Sequence, residues 1–213
     1  MNSPTFDKLR TIYALFDSET GSLPLVCQKG CSLCCTDHLS LTTLEARYLA
    51  EYLAGNEEAR QRIRRARISW RPAYTVNGLV LDTLCRRPSP PEDEDSPVGA
   101  CPLLSDDLCL AYPARPLACR VMFSRTSCSD SREGAEISPL DMSLNQVFMQ
   151  AVEHLDSSGR SGNLVGMMAL VEGKSGGEEL LHNRPMPGFL IPPEHQDELR
   201  NVVRALKDIL EER

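Results

Sequence analysis

Nine cysteines are the residues of this chain whose types and spacing point to chemistry: Cys27, Cys31, Cys34, Cys35, Cys85, Cys101, Cys109, Cys119 and Cys128. An odd number cannot pair completely as disulfides, and a reducing compartment opposes such pairing in any case. Clustered thiolates are soft donors that suit zinc or iron–sulfur centres, so metal ligation is the leading expectation. The first cluster reads Cys27-x3-Cys31-x2-Cys34-Cys35. Residues three apart on a helical turn share a face, so Cys31 and Cys34 can converge on one metal, with Cys27 reaching it from the preceding loop. Successive helical positions are rotated by about 100°. Cys35 therefore points elsewhere, either as a spare or toward a different metal.

The second cluster reads Cys101-x7-Cys109-x9-Cys119-x8-Cys128. Its gaps are too long for a single turn and require loops to deliver the thiols to a shared centre. Seven or eight donors suffice for one site with redundancy, or for two sites sharing the vicinal pair. We expect the two clusters to be joined through metal, so that binding free energy becomes folding free energy for the whole span from Cys27 to Cys128. The metal ligands expected are Cys27, Cys31, Cys34, Cys35, Cys101, Cys109, Cys119 and Cys128, with Cys85 left as a lone thiol. Two features favour an iron–sulfur cluster over zinc: the donors include no spaced His pair, and Cys101-Pro102 matches the Cys-Pro that closes bacterial ferredoxin motifs. His38 lies near the vicinal pair, and a hydrogen-bonding or surface role is favoured over zinc ligation. His154, His182 and His195 show no ligand-like spacing.

The elements that must position these thiols are mostly helical. Phe6, Leu9, Ile12, Tyr13 and Phe16 recur at helical spacing from Ser3, a candidate N-cap, to Asp17, with Pro4 at the first helical position. Gly21 to Leu39 reads as a loop leading into a short helical turn. Thr42-Thr43-Leu44-Glu45 is a capping box that starts a helix running to about Leu53. A second helix, Glu57 to Ser69, carries Arg60, Arg62, Arg64, Arg65 and Arg67 on several faces, as a solvated basic helix would. Thr75 to Leu81 reads as a hairpin about Asn77-Gly78, and Pro88 to Pro97 as an exposed acidic, proline-rich loop. Ser138-Pro139 opens a helix whose apolar stripe reaches Leu155, another helix covers Asn163 to Glu172, Gly173 to Gly177 is a break, and a last helix runs from about Pro193 to Glu211. The fold class expected is mainly α: an irregular, loop-rich small domain organised around a cysteine metal centre, with a helical C-terminal part. Residues 1–135 form the cysteine-cluster domain, and residues 136–213 pack on it.

Composition narrows the function classes. In 213 residues, 30 acidic and 23 basic side chains give a net charge of −7, the wrong sign for general nucleic-acid binding. Leu164 to Val171 is too short an apolar stretch to span a bilayer, and Met1 to Tyr13 has no apolar core of the signal-peptide kind. A cytoplasmic protein with no membrane partner is expected. Only 5% of residues are aromatic, a thin core that bound metal would brace.

Three blocks carry a family resemblance: Cys27-Gln-Lys-Gly-Cys31-Ser-Leu-Cys34-Cys35, then Cys101-Pro102-Leu-Leu, then Cys109-Leu-Ala-Tyr112-Pro-Ala-Arg115-Pro116-Leu-Ala-Cys119-Arg120. Together they resemble the CxxCxxCC, or YkgJ-like, cysteine-cluster family over about Cys27 to Cys128. The resemblance implies a zinc- or iron-chelating domain, and a related cluster occurs in bacterial flagellin lysine methylases. One departure is that three residues, not two, separate Cys27 from Cys31. Arg115 and Arg120 have a physical rationale as residues that tune the cofactor, because a guanidinium can donate to the sulfurs of an anionic thiolate centre. Bracing of the turn between Pro113 and Pro116 is the other role open to Arg115. Three functions follow. The first is a metal-binding electron-transfer, redox-sensing or accessory protein. The second is a protein-modifying methyltransferase, although Gly173-Lys-Ser-Gly-Gly177 lacks phosphate-loop spacing and no Gly-rich nucleotide loop is recognisable. The third is a structural zinc module whose helical part docks a protein partner.

Overall fold

The computed structural model describes residues 4–27, 30–93, 95–128, 135–174 and 180–212, and it is mainly α. Helix α1 (Pro4–Gly21) extends past the predicted Asp17, while residue 3, the expected N-cap, lies outside the described residues. Its Leu9, Ile12, Tyr13 and Phe16 are buried. They pack with α6 (Pro139–Leu155) and α8 (Arg200–Glu211). Ser138 caps α6 through Asp141 N–H, as predicted. The last helix starts later than predicted: Pro193–His195 forms only a tight 3₁₀ turn, and α8 begins at Arg200. Pro193 opens that turn at its first position, where its missing N–H costs nothing.

Strand β1 (Ser40–Thr42) leads directly into α2 (Thr43–Tyr52), and the Thr42/Glu45 capping box is present in full. A 3₁₀ turn over Leu53–Gly55 separates α2 from α3 (Glu57–Arg65), which stops short of the predicted Ser69. Three of the four arginines of α3 dock the helix rather than solvate it. Arg60 and Arg64 reach Glu172 at 3.3 and 3.0 Å. Arg62 donates to the carbonyls of Pro102, at 2.9 Å, and Leu104. Glu172 follows α7 (Leu164–Val171), which Asn163 caps and which packs on α2.

The hairpin expected at Asn77-Gly78 is instead helix α4 (Val76–Leu84). A type I′ turn needs positive φ at both central residues, and neither residue adopts it. The Thr75 hydroxyl accepts from Gly78 N–H, which caps the helix. Buried Asn77 donates from its backbone to Glu153 at 2.7 Å and from its side chain to the carbonyls of Gln150 and Arg184. Tertiary partners therefore override a local turn signal. Beyond α4, residues 86–93 are exposed and irregular, as the proline run predicts.

Strand β4 (Arg160–Asn163) pairs antiparallel with β1 on one side and with β5 (Leu181–His182) on the other. Ser40 faces Asn163, and Thr42 faces Ser161. Two apolar clusters result. One gathers α1, α6 and α8 around Phe16 and Phe148. The other gathers β1, α2, α3 and α7, and against it pack Cys101, Cys109 and Cys119. Segments from both halves of the sequence contribute to each cluster. No helix among the described residues is long and apolar enough to cross a membrane.

Candidate metal centre

Residues 35–37 run antiparallel to residues 99–101. Thr36 bridges Ala100, Cys101 N–H donates to the Cys35 carbonyl at 2.9 Å, and Asp37 N–H donates to the Gly99 carbonyl at 3.0 Å. The Asp37 carboxylate locks this crossing by accepting from Gly99 N–H at 2.8 Å and from the Ser69 hydroxyl at 2.5 Å. A Cβ at Gly99 would lie 2.7 Å from that carboxylate, so close approach requires glycine. Cys35 and Cys101 are thereby set side by side.

Strands β2 (Leu104–Ser105) and β3 (Leu108–Cys109) then fold back through Asp106 and Asp107, at φ 48° and 59°. Two left-handed residues in a two-residue loop match the twist of a hairpin, and Asp tolerates that conformation better than most residues. Cys109 faces Leu104 across the hairpin, and Leu104 N–H reaches the Cys101 carbonyl at 3.0 Å. The hydroxyl of Ser32 donates to Asp107 at 2.6 Å, which ties the first cysteine loop to the hairpin tip.

Cys119 stands on a single turn, α5 (Leu117–Arg120). Glu45 fixes the start of that turn. Its carboxylate, 4% exposed, accepts from Leu117 N–H and Tyr13 O–H, each at 2.8 Å, and from Thr42 N–H at 2.9 Å. One buried carboxylate thus caps α2 and α5 together.

The electrostatics group the thiols. Burial, then the neighbouring Cys101, Cys109 and Cys35, raise the pKa of Cys119 far above its ordinary value. Cys35 is raised by burial and then by Cys101 and Cys109. Burial also raises Cys101, with Cys109 and Asp37 adding, while backbone amides of Leu103 and Leu104 donate to its sulfur and work the other way. These four thiols share one neighbourhood. Cys34 adjoins them, its thiol hydrogen-bonded to that of Cys35, and burial, then Cys35, Cys27 and Cys31, push it up to about 11. The Cys27 sulfur accepts from Ser124 N–H at 3.3 Å. Gly30, at φ 91°, lets the chain turn back before Cys31. The predicted helical turn at Cys31–Cys34 is absent, and turns closed by Cys35 N–H to Ser32 and Thr36 N–H to Cys34 take its place.

The other candidates divide as follows. Cys128 is half-exposed, four residues beyond Ser124, and Cys85 is exposed at the end of α4. His38 stacks on Trp70 at 5.2 Å and contacts the Pro97 carbonyl at 3.3 Å, as a hydrogen-bonding histidine does. Arg120 does not turn its donors to the thiols. Its guanidinium goes to Asp17, at 2.9 and 2.6 Å, and to the carbonyls of Pro113 and Arg115, and it lies 4.2 Å from the centre of the Tyr13 ring. Arg115 stacks on exposed Tyr112 at 4.0 Å and donates to its carbonyl. Both arginines brace the turn that carries Cys119. Sequence reasoning missed the double role of Glu45, visible there only as a helix cap, and the left-handed Asp106-Asp107 pair.

No group of three or more His, Cys, Asp or Glu among the described residues stands in metal-holding geometry. The chemistry of the thiols nonetheless fits a thiophilic metal: all-sulfur donors suit zinc or an iron–sulfur cluster. In agreement, the family model of the CxxCxxCC domain, described as a "putative zinc- or iron-chelating domain", matches residues 26–138. No curated protein and no solved structure shows significant similarity to the chain.

Proposed function

The chain belongs to the CxxCxxCC family, and from that premise we propose that its thiolates hold an iron–sulfur cluster or zinc in an electron-transfer, redox-sensing or accessory role. Cys27, Cys31, Cys34, Cys35, Cys101, Cys109, Cys119 and Cys128 are the ligands in this reading. The observation that carries it is the delivery of Cys35, Cys101, Cys109 and Cys119 to one neighbourhood by separate segments, each locked by its own hydrogen bonds. When bound, an iron–sulfur cluster supplies one-electron chemistry, and zinc supplies a redox-inert cross-link. The chain's part is to orient the sulfurs and set their electron density. The Leu103 and Leu104 amides donate to the Cys101 sulfur, and such bonds are a protein's lever on cluster potential.

A structural role is favoured by a different observation. Cys101, Cys109 and Cys119 pack on the apolar cluster of β1, α2, α3 and α7, so metal there would stitch irregular loops to a helical core. Anaerobic purification with zinc, iron and acid-labile sulfide analysis tests both. Brown protein that bleaches under dithionite is expected for the cluster. Colourless protein with stoichiometric zinc would overturn the cluster and leave the structural role, and protein holding neither metal would end the chelation reading.

A further inference from the structure

We infer that the cavity lined by parts of β1, α5 and α6 binds a small aliphatic amine in its ammonium form, at a site separate from the thiols and independent of the chelation reading. The cavity measures about 170 Å³. At about 30 Å³ for each water-sized group it holds about five of them, the size of a butylammonium ion. Buried Leu41, Leu117 and Val152 give it an apolar lining, to which Trp70 and Tyr74 add two aromatic rings. His38, outside the lining, stacks on the Trp70 indole at 5.2 Å and holds that ring in place.

Three carboxylates share the same lining: Glu45 of α2, Glu153 of α6 and Glu92 of the proline-rich loop. Glu45 and Glu153 are both buried. Glu153 accepts from the backbone N–H groups of Asn77 and Arg184 at 2.7 and 2.8 Å. Glu45 accepts from Leu117 N–H, Tyr13 O–H and Thr42 N–H. All of these donors are uncharged, and both oxygens of each carboxylate accept, as suits the ionised form. The Tyr74 hydroxyl donates to the Glu92 carboxylate, which holds a third acidic group at the cavity from an exposed loop. No Lys, Arg or His stands among the described residues of the lining. Low-dielectric walls of one sign concentrate the opposite charge, and aromatic rings attract cations further, so the cavity draws an ammonium group while its apolar part takes the alkyl chain. A bare metal ion is a poor fit, because the oxygens of Glu45 and Glu153 are already engaged and the rest of the lining is largely apolar.

Trp70 is the sole tryptophan of the chain, so its emission reports on the cavity directly. Full-length protein is titrated with n-butylammonium, and with 1-butanol and butyrate as neutral and anionic counterparts of similar size. Butylammonium is expected to shift the emission saturably and to bind about tenfold more tightly than 1-butanol. Butyrate should give no saturable response. Glu92→Gln, on the exposed loop, and Glu153→Gln are each expected to weaken butylammonium binding several-fold and to leave 1-butanol unchanged. If Glu153→Gln fails to fold, the wild-type series and Glu92→Gln still decide. Equal affinity for 1-butanol and butylammonium would show an apolar void that does not select charge, and would overturn the proposal. So would a butylammonium response that the variants retain in full, or the lack of a saturable response in wild type.

Discussion

Glu45 shows how much one side chain organises here. Its carboxylate serves Leu117 N–H, Tyr13 O–H and Thr42 N–H from inside the fold. Glu45→Ala leaves those donors without an acceptor, and each buried orphan costs about 1–3 kcal/mol. We expect a loss of about 3 kcal/mol in urea denaturation together with lower metal content, because α5 carries Cys119. A loss below about 1 kcal/mol would show that water replaces the carboxylate. Among the thiols, Cys34→Ser and Cys119→Ser are expected to lower both bound metal and the thermal midpoint. Exposed Cys85 tolerates serine within about 0.5 kcal/mol. Equal damage from Cys85→Ser would make that residue a ligand. The spacing of Cys31, Cys34 and Cys35 predicted a helical turn that sends Cys35 elsewhere, but the segment is an irregular turn and the Cys34 and Cys35 thiols remain neighbours. The second role of Glu45 was hidden because its partners Tyr13 and Leu117 lie 32 and 72 positions away.

Among the elements, those with local punctuation were legible: Thr42/Glu45, Ser138-Pro139 and Asn163 each start the helix they signal. Strands of two to four residues leave too little alternation to read, and Asn77 was misread because its partners come from α6 and from Arg184. One junction makes a pH prediction. Asp156, just past α6, accepts from Leu44 N–H at the start of α2 at 3.0 Å. Burial, with Glu45 adding, pushes its carboxyl from 3.8 up to about 6. The folded chain then holds a proton that the unfolded chain has released. Asp156 therefore lowers stability as pH rises from 3.8 to about 6. Glu172 acts oppositely: hydrogen bonds from Arg64 and Lys174 hold it down at about 2, so its contribution is present above 4.5 and fades as pH falls. Urea midpoints across this range should show a decline in wild type that Asp156→Asn flattens. An unchanged slope in the variant would assign the decline elsewhere.

At the scale of the whole molecule, the two apolar clusters are expected to respond differently to metal. The cluster of α1, α6 and α8 includes no cysteine, whereas Cys101, Cys109 and Cys119 pack on the other. Chelator is therefore expected to loosen residues 99–120 to hydrogen exchange while α1, α6 and α8 keep their protection and most of the far-UV helical signal persists. Collapse of all protection together would show one cooperative unit. The crossing of residues 35–37 with 99–101 also orders events in time. Asp37 meets Gly99 across 62 positions, so this loop closes late, against an entropy that local turns do not face. On a growing chain, Cys27, Cys31, Cys34 and Cys35 emerge together, well before Cys101 exists. A metal ion present during synthesis meets that quartet first. On the proposed ligand set, Cys35 would then have to leave that quartet for Cys101, which makes a ligand exchange, paced by how much free metal the nascent chain encounters, a step of folding.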